Sequence, residues 1–149
     1  SSLRIEITEG TLMADTPTAD NILKRLRGLG VELAMDDFGT GYSSLDYLRR
    51  LPVDVIKVDQ SFVRDMETDD RMGLLVEGVV RIANALGLIA TAEGIETYEQ
   101  RTALRWYGCQ RGQGYYFAQP LERADALRDV AAGLTPAGEP QRTPALQAS

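Results

Sequence analysis

The chain has 149 residues, 44% of them hydrophobic, which suits a single globular domain with a sizeable core. Its formal net charge of −6 argues against general binding to nucleic-acid polymers or anionic membranes through bulk electrostatics. The absence of histidine excludes Ser-His and Cys-His nucleophiles and His-ligated zinc, so any catalysis must use carboxylates, lysine and bound metal.

The first half of the chain alternates between the patterns of strands and helices. Apolar and polar side chains alternate over residues 3–8, as expected for a strand with two different faces. Serine, threonine and aspartate precede the helical patterns and are candidate N-caps. The predicted elements are strands at 3–8, 31–35 and 53–59, a helix from Thr18 or Asp20 to residues 28–30, and a helix from Ser43 or Ser44 that Pro52 closes.

The second half continues the same alternation, which predicts a parallel α/β arrangement with right-handed crossovers. Beyond Gly133, prolines recur among alanine, glycine, threonine and glutamine, which predicts a disordered Pro/Ala-rich tail over residues 134–149. The predicted elements are helices at 70–86, 98–107 and 123–132 and strands at 88–93 and 113–117.

Polar side chains recur near the carboxyl end of each predicted strand. Ligand sites in α/β barrels and open parallel sheets gather at that edge. Five polar residues in the same relative place therefore predict a functional site there. They are Glu6, Asp36, Lys57, Glu93 and Gln113.

Two features of this set each allow an ordinary structural explanation. Asp36 and Asp37, followed by Gly39 and Gly41, could form a turn, and they share one site only if the strand stops between them. Lys57 interrupts an apolar strand, so its ammonium must either be paired or extend to solvent.

Five motifs, in order, resemble those of the EAL domain family over about Leu3 to Leu121. The resemblance implies a modified TIM barrel that hydrolyses cyclic di-GMP, with two Mg²⁺ or Mn²⁺ ions, to linear pGpG in bacterial second-messenger signalling. A catalytically inactive EAL domain that acts as a cyclic-di-GMP receptor or protein-interaction module is the alternative. The motifs are Glu6-Ile7-Thr8-Glu9, residues 36–45, Ile56-Lys57-Val58-Asp59, residues 92–97 and residues 113–117.

The resemblance also implies roles for individual residues, matched position by position. Glu6, Asp36, Asp37 and Glu93 resemble metal ligands, with Asp36 bridging the two ions. Glu93 is alternatively the general base, and Lys57 resembles the lysine that orients the attacking water. The remaining matches are Glu9, Gly39 and Gly41, which stabilise the loop after Asp36, and Asp59, Gln113 and Pro120 on the substrate side.

The number of strand–helix units sets the expected extent of the domain. Five units fall short of the eight that close a (β/α) barrel. The resemblance places a Glu and an Asn that bind metal, together with three strands, upstream of Ser1. We therefore expect residues 1–133 to be the C-terminal part of an EAL domain, a partial TIM-type barrel that is inactive alone.

The expected partners and location complete the sequence-based predictions. The upstream half of the barrel and cyclic di-GMP are the expected partners, and we expect the parent protein to form a homodimer. No apolar run reaches membrane-spanning length, no signal peptide is visible, and the single Cys109 excludes an internal disulfide. These features favour a cytoplasmic protein without membrane contact in this segment.

Overall fold

The computed structural model describes residues 3–8, 10–11, 16–39, 45–119 and 127–128. Within these residues, strands and helices alternate along the chain as the sequence predicts. The strands are β1 (Arg4–Thr8), β2 (Glu32–Phe38), β3 (Val55–Val58), β4 (Ile89–Ala92) and β5 (Arg111–Gly112). The helices are α1 (Thr16–Gly28), α2 (Leu45–Arg50), α3 (Gln60–Asp65), α4 (Asp70–Ala85) and α5 (Tyr98–Tyr107).

The five strands form one parallel sheet in which each strand lies beside its predecessor, in the order β1-β2-β3-β4-β5. Because crossovers between parallel strands are right-handed, successive connections in this order place the helices on one face of the sheet. A doubly wound sheet would reverse its order at a switch point. The observed order confirms the α/β class and is the order found in TIM-type barrels.

The hydrophobic core lies between the sheet and its helices. Alternate residues of the central strands, Leu33 and Met35 in β2 and Ile56 and Val58 in β3, are almost completely buried. The alternation follows from the period of two in a strand, which sends every second side chain to the helical layer. The buried face of α4 consists of Gly73, Val76, Val79, Val80 and Ala83.

The structure fixes where two of the predicted helices begin. Helix α5 spans the predicted residues 98–107, and Thr97 and Gln100 form a reciprocal capping box at its start. The prediction that Thr18 or Asp20 caps the first helix is wrong, because α1 begins at Thr16. Pro17 occupies the first turn, where a proline costs no helical hydrogen bond.

The structure also corrects the predictions around β3 and β5. Helix α3 was not predicted, although Asp59 provides the usual capping signal by accepting a hydrogen bond of 2.9 Å from the Ser61 amide. The predicted strand at 113–117 is wrong, since β5 is Arg111–Gly112 and the chain then turns. Gly114, with φ +150°, makes this turn against the backbone of Ile95.

Several predictions concern residues outside the described ranges. They are Glu9, Gly41 and Pro120, the proposed caps Ser43 and Ser44, most of the helix at 123–132, and the tail at 134–149. Among the residues that are described, none of the helices has the length and apolarity needed to cross a membrane.

Candidate active site

Four charged side chains meet at the carboxyl edge of the sheet. Glu6 lies in β1, Asp36 in β2, Lys57 in β3, and Glu93 directly follows β4. We refer to these four residues as the carboxylate–lysine cluster. Parallel strands end at the same edge, so residues that are far apart in the sequence converge there.

The ammonium of Lys57 lies at the centre of the cluster. Its Nζ is 2.6 Å from Glu93 Oε1, 2.7 Å from Glu6 Oε2 and 3.0 Å from Asp36 Oδ1. The side chain is only 6% exposed, so the alternative in which Lys57 extends to solvent is wrong. Three acceptors satisfy the three donors of the buried ammonium, which offsets the cost of removing it from water.

The local electrostatics raise the pKa values of both Lys57 and Glu93. Burial alone would lower the pKa of Lys57, but hydrogen bonds to Glu6, Glu93 and Asp36 outweigh it and raise that pKa. The pKa of Glu93 is raised chiefly by burial, with the negative charges of Asp36 and Glu6 adding to the effect against the opposing influence of Lys57. Since three carboxylates face one ammonium, the cluster keeps an excess of negative charge.

The strand is distorted between the two adjacent aspartates. Asp37 has φ +55°, the one non-glycine residue with positive φ among those described. The register of β2 against β3 shifts between Met35 and Phe38, and the Asp37 amide donates to Asp36 Oδ1 at 3.1 Å. The strand therefore continues to Phe38, and the predicted stop is a local irregularity at Asp37. Left-handed backbone costs free energy for a residue with a Cβ, and such strain is often found at functional sites.

The segment after β4 that carries Glu93 is held on one side by β3 and on the other by Gln113, which directly follows β5. The Glu93 amide donates to Val58 O at 3.1 Å, and the Ile95 amide donates to Gln113 O at 3.0 Å. Gln113 in turn donates from Nε2 to Glu93 Oε1 at 2.9 Å. The structure thus brings Gln113 into contact with the cluster. Its predicted contact with substrate stays a prediction.

Two further predicted residues lie near the site with packing or capping contacts. A Cβ at Gly39, where φ is +96°, would lie 2.9 Å from the Phe62 ring, so glycine permits close packing of this turn. Asp59 caps α3, and although burial opposes it, hydrogen bonds from Ser61 lower the pKa of Asp59. A role of Asp59 in substrate binding stays a prediction.

The side chains suit a hard divalent cation in chemical type. Carboxylate oxygens are the ligands that Mg²⁺ and Mn²⁺ prefer in proteins. Within the described part of the chain, however, no group of three or more acidic or cysteine side chains is positioned to hold a metal ion. In the cluster the Lys57 ammonium contacts the oxygens of Glu6, Asp36 and Glu93. The metal roles of these three residues and of Asp37 therefore stay predictions.

A second group of charged residues lies nearer the amino edge of the sheet and was missed from the sequence. Arg4, Glu32 and Arg111 form an ion cluster in which both guanidiniums contact one carboxylate. We call these three residues the basal ion cluster. The available signal was the alternation of Arg4, Glu6 and Thr8, which places a whole polar face of β1 on the side of the sheet away from the helices.

The sequence profile of the family described as the EAL domain matches residues 1–120. One relative is the cyclic di-GMP phosphodiesterase PA2567 of Pseudomonas aeruginosa, 45% identical over 121 residues. The match covers 81% of this chain and 21% of that protein, so the chain spans about a fifth of its length.

Solved structures show the same fold. The PaMucR phosphodiesterase in complex with c-di-GMP superposes with a TM-score of 0.78 at 38% identity, over 83% of this chain and 50% of that one. A manganese and cy-diGMP complex of BlrP1 from Klebsiella pneumoniae gives a TM-score of 0.71 at 40% identity, over 78% of this chain and 30% of that one. A calcium and cy-diGMP complex of the same protein matches equally well. The five-stranded parallel sheet is thus the TIM-barrel-like arrangement of these domains.

Proposed function

This chain belongs to the EAL domain family, and on that premise we propose that the protein containing it hydrolyses cyclic di-GMP to linear pGpG. The observation that carries the proposal is the convergence of Glu6, Asp36 and Glu93 on Lys57 at the carboxyl edge of the sheet. Phosphodiester cleavage requires an activated water and relief of negative charge on the phosphate. The carboxylates and Lys57 suit the first requirement, and cations held by the carboxylates would meet the second. The names of PA2567 and PaMucR support the substrate class.

Mg²⁺ or Mn²⁺ is the proposed cofactor, held as a pair of ions by Glu6, Asp36, Asp37 and Glu93 with ligands from the upstream part of the domain. When bound, the ions supply charge stabilisation to the phosphate oxygens and acidify water. The excess of negative charge in the carboxylate–lysine cluster supports this proposal, as does the manganese complex of BlrP1.

The residues of this chain have separate tasks in the proposed reaction. Glu93 accepts the proton of the attacking water or binds metal, while Lys57 orients that water through its ammonium. Gln113, which donates to Glu93 Oε1, fixes the orientation of that carboxylate. Asp59, Gln113 and Pro120 are the proposed substrate contacts, and Glu9, Gly39 and Gly41 stabilise the neighbouring loop.

The assay uses the protein with its complete EAL domain, cyclic di-GMP and Mn²⁺, and measures pGpG by chromatography. Glu93→Gln should lower kcat by about 10²–10³, because it removes a charged group at the reacting atoms. Glu99→Gln, an exposed glutamate in α5, is the matched control and should retain full turnover. Binding of cyclic di-GMP by the wild type without any pGpG would instead establish the receptor alternative.

The proposal extends to the surroundings of the domain. The upstream half of the barrel is the proposed structural partner, the parent protein is proposed to be a homodimer, and its location is proposed to be the cytoplasm. Residues 1–133 form the C-terminal part of the domain in this proposal, followed by a disordered tail over residues 134–149.

A further inference from the structure

The basal ion cluster joins three strands of the sheet. Arg4 Nε in β1 donates to Glu32 Oε2 in β2 at 2.6 Å, and Arg111 Nη1 in β5 donates to Glu32 Oε1 at 3.0 Å. Each guanidinium therefore uses its own oxygen of the Glu32 carboxylate. The three side chains are 22–30% exposed, so the cluster is partly removed from water.

The contact between Arg111 and Glu32 requires a strongly curved sheet. β3 and β4 lie between the two strands, and three strand spacings in a flat sheet amount to roughly 14 Å. Side chains stand approximately perpendicular to a sheet, so they cannot bridge such a distance sideways. The contact therefore shows that this face of the sheet is concave, with Arg111 and Glu32 facing each other across it.

The contact between Arg111 and Glu32 also joins two residues that are not level with each other in the pairing of the strands. Arg111 is level with Thr91, and Thr91 is level with Lys57. The residue before Lys57 pairs with Met35, so this line reaches β2 near Asp36, four positions after Glu32. A diagonal contact across a concave sheet means that the strands are tilted against the axis of curvature, as in a barrel.

The carboxylate–lysine cluster depends on the same stagger. Glu6 pairs in register with Ala34, and Ala34 pairs with Val55. Even so, the carboxylate of Glu6 contacts Lys57, two positions beyond Val55. Curvature and tilt together, rather than register, therefore bring Glu6 to the ammonium.

Each arginine of the basal ion cluster lies two positions before a residue of the candidate site. Arg4 precedes Glu6 by two positions in β1, and Arg111 precedes Gln113 by two positions. Residues two apart in a strand share a face, so Arg4 and Glu6 lie on the same face of β1. Gln113 lies directly after β5, and its amide donates to Ala92 O at 2.9 Å, so its position follows that of the strand that carries Arg111.

We propose that Glu32 is a positioning residue for the reaction proposed above, on which this inference rests. Its carboxylate holds β1 and β5 at the curvature and stagger that place Glu6 on Lys57 and Gln113 on Glu93. Glu32 touches neither the substrate nor the reacting atoms in this proposal. It acts through Arg4 and Arg111.

The experiment compares two isosteric substitutions in the protein with its complete EAL domain. Glu32→Gln removes the charge that holds both guanidiniums, whereas Glu77→Gln removes the partner of Arg81 in an ion pair on α4. The two glutamates are matched in exposure, at 22% and 24%. Glu32→Gln should lower kcat about tenfold, as small misplacements of reacting groups do, with KM nearly unchanged. Glu77→Gln should change kcat less than about twofold.

A double-mutant cycle tests whether Glu32 acts through Arg111. Arg111→Met should reproduce the loss of kcat, Arg111→Lys should restore much of it, and combining Glu32→Gln with Arg111→Met should add little further loss. Equal kcat values for Glu32→Gln and Glu77→Gln, or fully additive losses in the cycle, would overturn the proposal.

Mn²⁺ binding, followed by electron paramagnetic resonance, provides a readout that does not depend on turnover. Glu32→Gln should weaken Mn²⁺ binding several-fold relative to Glu77→Gln, because Glu6 is one of the proposed ligands. A wild type that binds Mn²⁺ without producing pGpG would overturn the proposed function, while the ratio of the two variants' affinities would still decide the positioning role. Equal affinities would count against it.

Discussion

Glu93 Oε1 and Lys57 Nζ are 2.6 Å apart, and the same oxygen accepts a hydrogen bond of 2.9 Å from Gln113 Nε2. One carboxylate oxygen is thus held by Lys57 from β3 and by Gln113, the residue directly after β5. Two donors on one oxygen orient the carboxylate. Removing either donor should therefore affect the proposed reaction at Glu93 more than it affects the stability of the fold.

Substitution of Lys57 should separate catalysis from binding. In the complete domain we expect Lys57→Met to lower kcat by about 10²–10³, because in the proposed reaction the ammonium acts on the water in the transition state. Affinity for cyclic di-GMP, measured by calorimetry, should change little.

The chain contains its own control for this substitution. Lys24, the only other lysine, is exposed on α1, and Lys24→Met should leave kcat and affinity unchanged. If Lys57→Met loses affinity and turnover in parallel, the lysine binds substrate rather than water.

Metal replacement should discriminate between turnover and binding. Mg²⁺ and Mn²⁺ should support pGpG release, whereas Ca²⁺ should support it poorly, because its longer bonds and looser geometry misplace the attacking water. The calcium complex of BlrP1 is compatible with binding under Ca²⁺. The measurement is kcat with each ion after removal of metal by a chelator, and equal rates with Ca²⁺ and Mg²⁺ would contradict the two-metal proposal.

The turn after β5 should depend on its glycine. A Cβ at Gly114, where φ is +150°, would lie 2.2 Å from Ile95 N, so Gly114→Ala should destabilise the domain by roughly 2–4 kcal/mol. Thermal unfolding measures the change.

Gly78 provides the matched control for this substitution. It lies within α4, where a Cβ meets no atom within 4 Å, so Gly78→Ala should stabilise the domain by about 1 kcal/mol. A Gly114→Ala domain as stable as the wild type would show that the turn can shift away from Ile95.

Cys109 should become reactive only at high pH. Burial raises the pKa of its thiol from 9.0 to about 11, despite hydrogen bonds from the backbone that lower it. The folded protein therefore keeps the proton between pH 9 and pH 11 while the unfolded chain loses it, so stability falls as the pH rises through this window.

The measurement is labelling of Cys109 with iodoacetamide at increasing pH, followed by peptide mapping. In the unfolded protein the rate should level off above pH about 9, and in the folded protein it should still be rising at pH about 10. Cys109→Ala should remove the corresponding part of the loss of stability. Rapid labelling of the folded protein at pH 8 would contradict the burial of this thiol.

Residues 1–149 expressed alone should not hydrolyse cyclic di-GMP. The described sheet has five strands, whereas a closed barrel has eight, and the expected Glu and Asn ligands would come from the upstream segment. Unpaired strands also favour self-association, which we expect through β1.

The assay measures pGpG release with Mn²⁺ in the presence and absence of the upstream segment as a separate chain. Added segment should restore turnover and reduce self-association, which light scattering can follow. Robust turnover by residues 1–149 alone would mean that these five strand–helix units contain a sufficient site.

Much of the candidate site follows from local sequence. The sequence predicts that four residues of the site lie together, because strands and helices can be recognised from their periods and the carboxyl ends of parallel strands share one edge. They are Glu6, Asp36, Lys57 and Glu93, and the structure brings them into contact. That prediction requires only the type and order of the elements. The sequence does not predict the exact start of α1 or the position of β5. The ends of elements are decided by packing, such as that of Gly114 on Ile95.

Only the tertiary structure decided which of these residues touch. The ammonium of Lys57 is paired with three carboxylates rather than solvated, Asp37 takes a left-handed backbone, and Arg111 reaches Glu32 across two intervening strands. The conformation of Asp37 accompanies the irregular register between β2 and β3. The two sets of ion pairs have no local signal, because each depends on the curvature and stagger of the whole sheet. Those two properties arise from the packing of every strand against the helical layer, so the sequence predicts the edge at which the residues gather and the assembled sheet decides their partners.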